Sequence, residues 1–163
     1  MSTSNRDERN SAAEARSNGE HATATLLASS DFARLEIIGF QESGPTRQAI
    51  LAKLALAHIK DSAQMPPDVA TIGSVVRYSI ADGAIERRTL SLPENSRPTG
   101  QFISVLTPVG LALLGRRAGE KFNVELADGG SLKINLVAVE FQPEAEARKR
   151  TIEPPHDDGP EAA

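Results

Sequence analysis

The stretch Ser104–Phe122, SVLTPVGLALLGRRAGEKF, constrains this chain more than any other. It compresses a strand, a capped helix and a turn into one short run. Phe102 to Leu106 is apolar and partly β-branched, which suits a buried strand. Thr107 offers an N-cap hydroxyl, and Pro108 occupies the first helical position, where a missing N–H costs nothing. Leu111 to Leu114 are strong helix formers, and Gly115 provides a left-handed stop. Arg116 and Arg117 follow at the negative end of the helix dipole, and Gly119 turns the chain into a strand over 121–126. A strand-to-helix corner of this kind exposes Thr-Pro at its apex, where another molecule can touch it. Thr107→Asp is expected to keep a capping oxygen and therefore the fold.

The rest of the chain is read outward from that corner. Residues 1–30 carry almost nothing large and apolar before Leu26 and read as a disordered tail. Asp31 is placed to cap a short helix in which Phe32, Leu35 and Ile38 recur every third residue. After the break at Phe40 to Pro45, a second helix is expected over 46–62, with Ile50, Leu54 and Ala57 on one stripe. Together they predict a short antiparallel helical hairpin over 31–64. Met65-Pro66-Pro67-Asp68 marks a boundary, because no helix continues through Pro-Pro. Beyond it the chain turns β-rich: strands over 71–80 and 84–92 around Asp82-Gly83, and over 121–126 and 132–141 around Asp128-Gly129-Gly130. Helices and a mainly antiparallel sheet make an α+β protein. Residues from 143 on carry prolines and six acids and read as tail, so the expected folded unit is 31–142, with both ends dispensable.

Composition excludes several chemistries. With no cysteine, disulfides, Cys-ligated zinc and thiol nucleophiles are ruled out. No apolar run approaches the length of a membrane helix, and the N-terminus has no apolar signal segment, so a soluble cytoplasmic protein is expected. His58 and Asp61 have helical i, i+3 spacing, but two ligands do not make a metal site. No phosphate loop of the GxxxxGK[ST] type occurs, and no His is placed to activate a Ser or Thr. No catalytic residue, cofactor or metal is therefore assigned. Between Ser74 and Lys121, seven bases (Arg77, Arg87, Arg88, Arg97, Arg116, Arg117, Lys121) outweigh four acids, a local +3. With one Tyr, five Phe and no Trp, base stacking is poorly supplied, so strong nucleic-acid binding is not expected. An acidic protein surface suits these arginines better.

The corner is also recognisable. SVLTPVGLALLGRRAGEKF resembles the C-terminal domain of the bacterial transcript-cleavage factors GreA and GreB, whose pattern is SVxSPLGxALLGxxxGD. Ser104, Val105, Thr107 for Ser, Pro108, Gly110, Ala112 to Gly115 and Gly119 match, and Glu120 stands where Asp is preferred. Met65-Pro66-Pro67-Asp68-Val69 and LVAVEFQPEA over 136–145 are similar to one branch, the Rnk proteins (regulator of nucleoside diphosphate kinase). The resemblance covers about 31–146. It implies a short Rnk-type helical hairpin over 31–64, an FKBP-like antiparallel sheet domain over 65–146, and an acidic tail over 147–163. It further implies docking on RNA polymerase at the rim of its secondary channel, and a monomer is expected. In Gre factors a long hairpin carries two tip acids that hold the catalytic Mg²⁺. Here the tip holds one, Glu42, on short arms, which implies binding without transcript cleavage. The family's polymerase contacts carry over to Leu106, Thr107 and Pro108, with Leu106 replacing an acidic residue of some Gre factors. Two other readings stand beside this one. One is a true cleavage and elongation factor. The other is an FKBP-like prolyl isomerase, whose aromatic pocket this chain could supply only with Tyr78, Phe102 and Phe122.

Overall fold

A computed structural model describes residues 25–95 and 99–152. Seven strands and four helices follow in the order β1 (Leu26–Ala28), α1 (Ser29–Gln41), α2 (Gly44–Leu56), β2 (His58–Lys60), β3 (Val75–Ile80), β4 (Glu86–Ser91), β5 (Phe102–Ser104), α3 (Pro108–Leu113), β6 (Lys121–Glu125), β7 (Ser131–Phe141) and α4 (Pro143–Ile152). The expected mixture of helices and sheet is present, and the helical pair precedes the sheet.

Helices α1 and α2 are joined by Glu42 and Ser43 alone. Each is 13 residues, or about 20 Å at 1.5 Å per residue. The buried row of α1 is Asp31, Leu35 and Gly39, an i, i+4, i+8 stripe, and Phe32 and Ile38 flank it half-buried. At Gly39 a Cβ would lie 3.3 Å from the Ile50 side chain, which shows how closely α2 crosses there. Asp31 does not cap the helix. The capping position is Ala28, and Asp31 lies inside the first turn. α2 stops at Leu56 rather than 62, because the chain straightens at Ala57 to pair with β1. His58 therefore sits on a strand, and Asp61 accepts from the Ala63 amide at 3.1 Å, so their supposed helical spacing does not exist.

Both presumed tails contribute ordered structure. Leu26–Ala28 runs parallel to His58–Lys60, and Leu27 and Ala28 are fully buried. The Leu26 amide donates to the Gly115 carbonyl at 3.1 Å, which ties this strand to the corner. At the other end, α4 has Pro143 and Glu144 in its first turn and Lys149 and Arg150 in its last, the order the helix dipole favours. Gln142 fastens its start by donating to the carbonyls of Pro66 (2.6 Å) and Val69 (2.7 Å). Arg148 donates to Ala63 at 3.2 Å. The expected boundaries at 31 and 142 are thus too narrow: short apolar Leu-Leu-Ala and a charged but dipole-matched helix both look like tail by composition. The remaining tail residues, 1–24 and 153–163, lie outside the described residues.

The main sheet has the order β5-β4-β3-β7-β6. Three of its pairings are antiparallel as expected, but β5 joins β4 in parallel, with Thr89, Leu90 and Ser91 opposite Phe102, Ile103 and Ser104. With Phe102 beside Thr89 and Ser104 beside Ser91, β5 runs in the same direction as β4. The β3–β4 turn is also displaced from its expected place. Ala81 and Asp82, not Asp82 and Gly83, take positive φ (51° and 58°), and Gly83 N–H closes the turn on Ile80 at 2.9 Å. One core unites the parts: Leu27, Leu35 and Ile50 from the helical side with Val76, Leu90, Val105, Leu113, Leu114, Ile134 and Leu136.

The fragment 31–142 lacks β1 and α4, and with them the fully buried Leu27. Losing that side chain alone is worth about 2–5 kcal/mol. We expect thermal melts of 31–142 to show a strongly lowered or lost transition, and those of 25–152 to match the full chain. Equal melting of all three would contradict the assignment of β1 and α4 to the folded unit.

Candidate functional site

The corner forms as its residues dictate. β5 ends at Ser104, Val105 is fully buried, and the Thr107 amide turns back on the Ser104 carbonyl at 3.1 Å. Thr107 Oγ1 accepts from the Gly110 amide at 3.1 Å, the cap expected from the sequence, and Pro108 opens α3. The same hydroxyl donates to the Ser104 carbonyl oxygen at 2.7 Å. A carboxylate cannot make that second bond and would face a carbonyl oxygen instead, so Thr107→Asp is not the neutral replacement the sequence suggests. Ser104 Oγ also accepts from the Leu106 amide at 3.2 Å.

Two glycines allow the corner its tightness. A Cβ at Gly110 would strike the Ser104 carbonyl and lie 2.9 Å from Thr107 Oγ1. Gly115 has φ +83°, just past the Leu114 C-cap, and a Cβ there would meet Thr25 and the Leu26 carbonyl. Helix α3 lies against β5, and Gly115 just beyond it is tied to Leu26. Gly110→Ala is expected to cost about 2 kcal/mol or more, since the obstacle is backbone and cannot rotate away. Chemical denaturation measures this; a loss below about 0.5 kcal/mol would mean the corner has slack.

The structure keeps the three residues singled out from sequence together. Thr107 and Pro108 are exposed at the apex and Leu106 is half-buried beside them. Leu106 forms one wall of a groove of about 490 Å³ whose other walls are Ile37, Ile38 and Glu42 of the helical pair and Leu92 and Pro93 after β4. Ile37 is 60% exposed there. Sequence reading missed these neighbours, because nothing in the residues around 92 shows that they return to α1. A second, apolar groove of about 290 Å³ lies between the helices, lined by Phe32, Phe40, Leu51 and Leu54 with Glu36 and Arg47. At the helical tip Phe40 is 78% exposed and Glu42 is half-buried.

The local positive charge is largely met within the chain. Arg77 and Arg87 both reach Glu140 (3.6 and 2.5 Å), Arg88 reaches Glu86 (3.2 Å), and Arg117 reaches Asp68 (3.5 Å). Arg116 pairs with Glu120 at 3.6 Å and lies over the Phe122 ring at 4.7 Å. Five of the seven bases thus have a carboxylate neighbour within the chain, Arg77 and Arg87 sharing one, and Arg97 lies outside the described residues. Lys53 of α2 approaches the same group; burial, then the neighbouring Arg116, pushes its ammonium down to about 7, and Glu120 opposes the shift. Among the described residues no group of three or more His, Asp or Glu could hold a metal ion. No helix among them is long and apolar enough to cross a membrane.

Comparison with known proteins places this corner in a family. The family model described as "Transcription elongation factor, GreA/GreB, C-term" matches residues 65–141, from the end of the helical part through β7. The regulator of nucleoside diphosphate kinase of Escherichia coli is 36% identical over 102 residues, covering 62% of this chain and 75% of that protein. Transcription elongation factor GreA of Solidesulfovibrio magneticus is 30% identical over 93 residues, 56% of either chain. A solved structure, the prokaryotic transcription elongation factor GreA/GreB from Nitrosomonas europaea, is 35% identical with a TM-score of 0.59, covering 72% of this chain and 98% of that one. The chain therefore belongs to the GreA/GreB transcription elongation factor family, in the branch of the regulators of nucleoside diphosphate kinase.

Proposed function

We propose that this protein is a non-enzymatic regulator that binds RNA polymerase through Leu106, Thr107 and Pro108 and does not stimulate transcript cleavage. The observation that carries the reading is the apex itself. Thr107 and Pro108 are exposed on a turn fixed by Ser104, Gly110 and the Thr107 hydroxyl, inside the region the family model matches. A surface held rigid before binding loses little freedom on docking. In this reading residues 65–146 are an FKBP-like unit, preceded by the short Rnk-type hairpin, and the protein acts as a cytoplasmic monomer near the secondary channel.

The helical pair supports the second half of the proposal. Its arms are about 20 Å long, and the Glu42-Ser43 link offers a single carboxylate, itself turned toward the groove beside Leu106. Holding a catalytic Mg²⁺ on polymerase needs more oxygen ligands than one side chain gives. The proximity of Glu42 to the corner suits a pair of helices that rests beside the contact surface.

Binding and folding can be separated at Pro108. Glutamate is well tolerated at the first turn of a helix, so Pro108→Glu keeps α3 while adding a charge to the apex. We expect it to melt within a few degrees of wild type and to lose capture of core RNA polymerase by at least tenfold. Thr107→Ser, which retains both hydroxyl bonds, should bind normally, and Thr107→Ala should lose about 1 kcal/mol of stability. Full binding by a folded Pro108→Glu would move the contact elsewhere. Backtracked transcripts should stay intact when the protein is added; Mg²⁺-dependent shortening abolished by Glu42→Ala would favour the cleavage-factor reading instead.

A further inference from the structure

Asp31 is 1% exposed, in the first turn of α1, at the seam between the helical pair and the sheet. A buried carboxylate is normally paired or richly hydrogen-bonded. This one accepts a single hydrogen bond, from the Ile72 amide to Oδ2 at 3.0 Å, and Oδ1 has no hydrogen-bond partner. The charged group nearest on its own helix, Arg34, stands 4.0 Å away and is half in solvent. The loop that supplies Ile72 is held by Thr71 and Ser74, both buried: the Thr71 amide donates to Ser74 Oγ at 2.9 Å. Thr71 Oγ1 donates in turn to Glu144 Oε2 of α4 at 2.7 Å. Glu144 is thus a second carboxylate fixed near the first, and its charge opposes ionisation of Asp31. The groups facing Asp31 are therefore Arg34 from α1, the uncharged 71–74 loop, and Glu144 from α4.

We propose that Asp31 is a proton-operated latch: in its neutral form it seats α1 on the 71–74 loop, and its ionisation loosens that seat. The carboxyl is 1% exposed with one hydrogen bond, a setting too poor in donors to hold an anion cheaply, and the loop that supplies that bond is itself tied to α4 through Thr71 and Glu144. Burial, with Glu144 adding and the Ile72 hydrogen bond and Arg34 opposing, raises its pKa from 3.8 to about 6. The sign follows from linkage. A carboxyl whose pKa is higher when seated than when released stabilises the seated state at low pH, and that advantage is lost as pH rises through about 6. The seating needs no partner and stands apart from any polymerase binding.

Amide hydrogen exchange on the full chain reads the latch, because it measures opening of α1 separately from unfolding of the sheet. With pKa values near 4 and 6, opening of α1 should become about tenfold more favourable between pH 5 and pH 7, after correction for intrinsic exchange. Protection at Leu35 and Ile38 should fall by that factor, while protection at Leu136 in β7 stays level. Asp31→Asn, which mimics the neutral acid, should make the α1 profile flat. Glu144→Gln should move its midpoint to lower pH and keeps the test decisive should the first variant fold poorly. A flat wild-type profile at Leu35 would overturn the proposal. So would a parallel loss at Leu136, or a Glu144→Gln midpoint that does not fall.

Discussion

The corner depends on one close approach, that of the first turn of α3 to the Ser104 carbonyl. That oxygen accepts from both the Thr107 amide and its hydroxyl, and the hydroxyl in turn caps the Gly110 amide. Three backbone groups at a strand end and a helix start are thereby satisfied among three neighbouring residues. The arrangement tolerates no side chain at 110. Once α3 is fixed, Leu111, Leu113 and Leu114 are driven into the core, and Gly115 passes beneath β1 with its carbonyl taken by the Leu26 amide. The Thr-Pro apex is left pointing outward as a consequence of this packing.

The helical pair is joined to the sheet rather than tethered to it. Leu27, Leu35 and Ile50 share one core with residues of β3, β4, β7 and α3. Around that apolar centre lie polar contacts of two kinds. Gln142 Nε2 and Arg148 donate to backbone carbonyls and act as fasteners for α4. Asp31 and Lys53 are ionisable groups whose charged forms burial disfavours.

Much of this was legible in the residues. The Thr107 cap, Pro108 start, Gly115 stop and the turn at Asp128-Gly129-Gly130 are local chemistry, and local chemistry is written in neighbouring residues. What escaped were features set by distant partners. Leu26–Ala28 is too short to announce itself and is a strand only because His58–Lys60 lies beside it. Asp31 has the sequence of a cap but is used as an acceptor for Ile72, 41 residues away. The parallel pairing of β5 with β4 is a matter of direction, which no periodicity records. Of the candidate site, the exposed Thr107-Pro108 corner follows from neighbouring residues and Leu106 entered through the family resemblance, whereas the opposite wall of the groove at Ile37, Ile38, Leu92 and Pro93 required the fold.

The central claim is that the exposed apex meets RNA polymerase, and the absence of native cysteine permits a direct test. A single cysteine placed by Pro108→Cys can carry a short photocrosslinker, with Glu125→Cys, on the exposed surface of β6, as the reference position. Mixed with core polymerase and illuminated, the label at 108 should join the protein to a polymerase subunit in high yield while the label at 125 should not. Crosslinking from 125 with none from 108 would contradict the account.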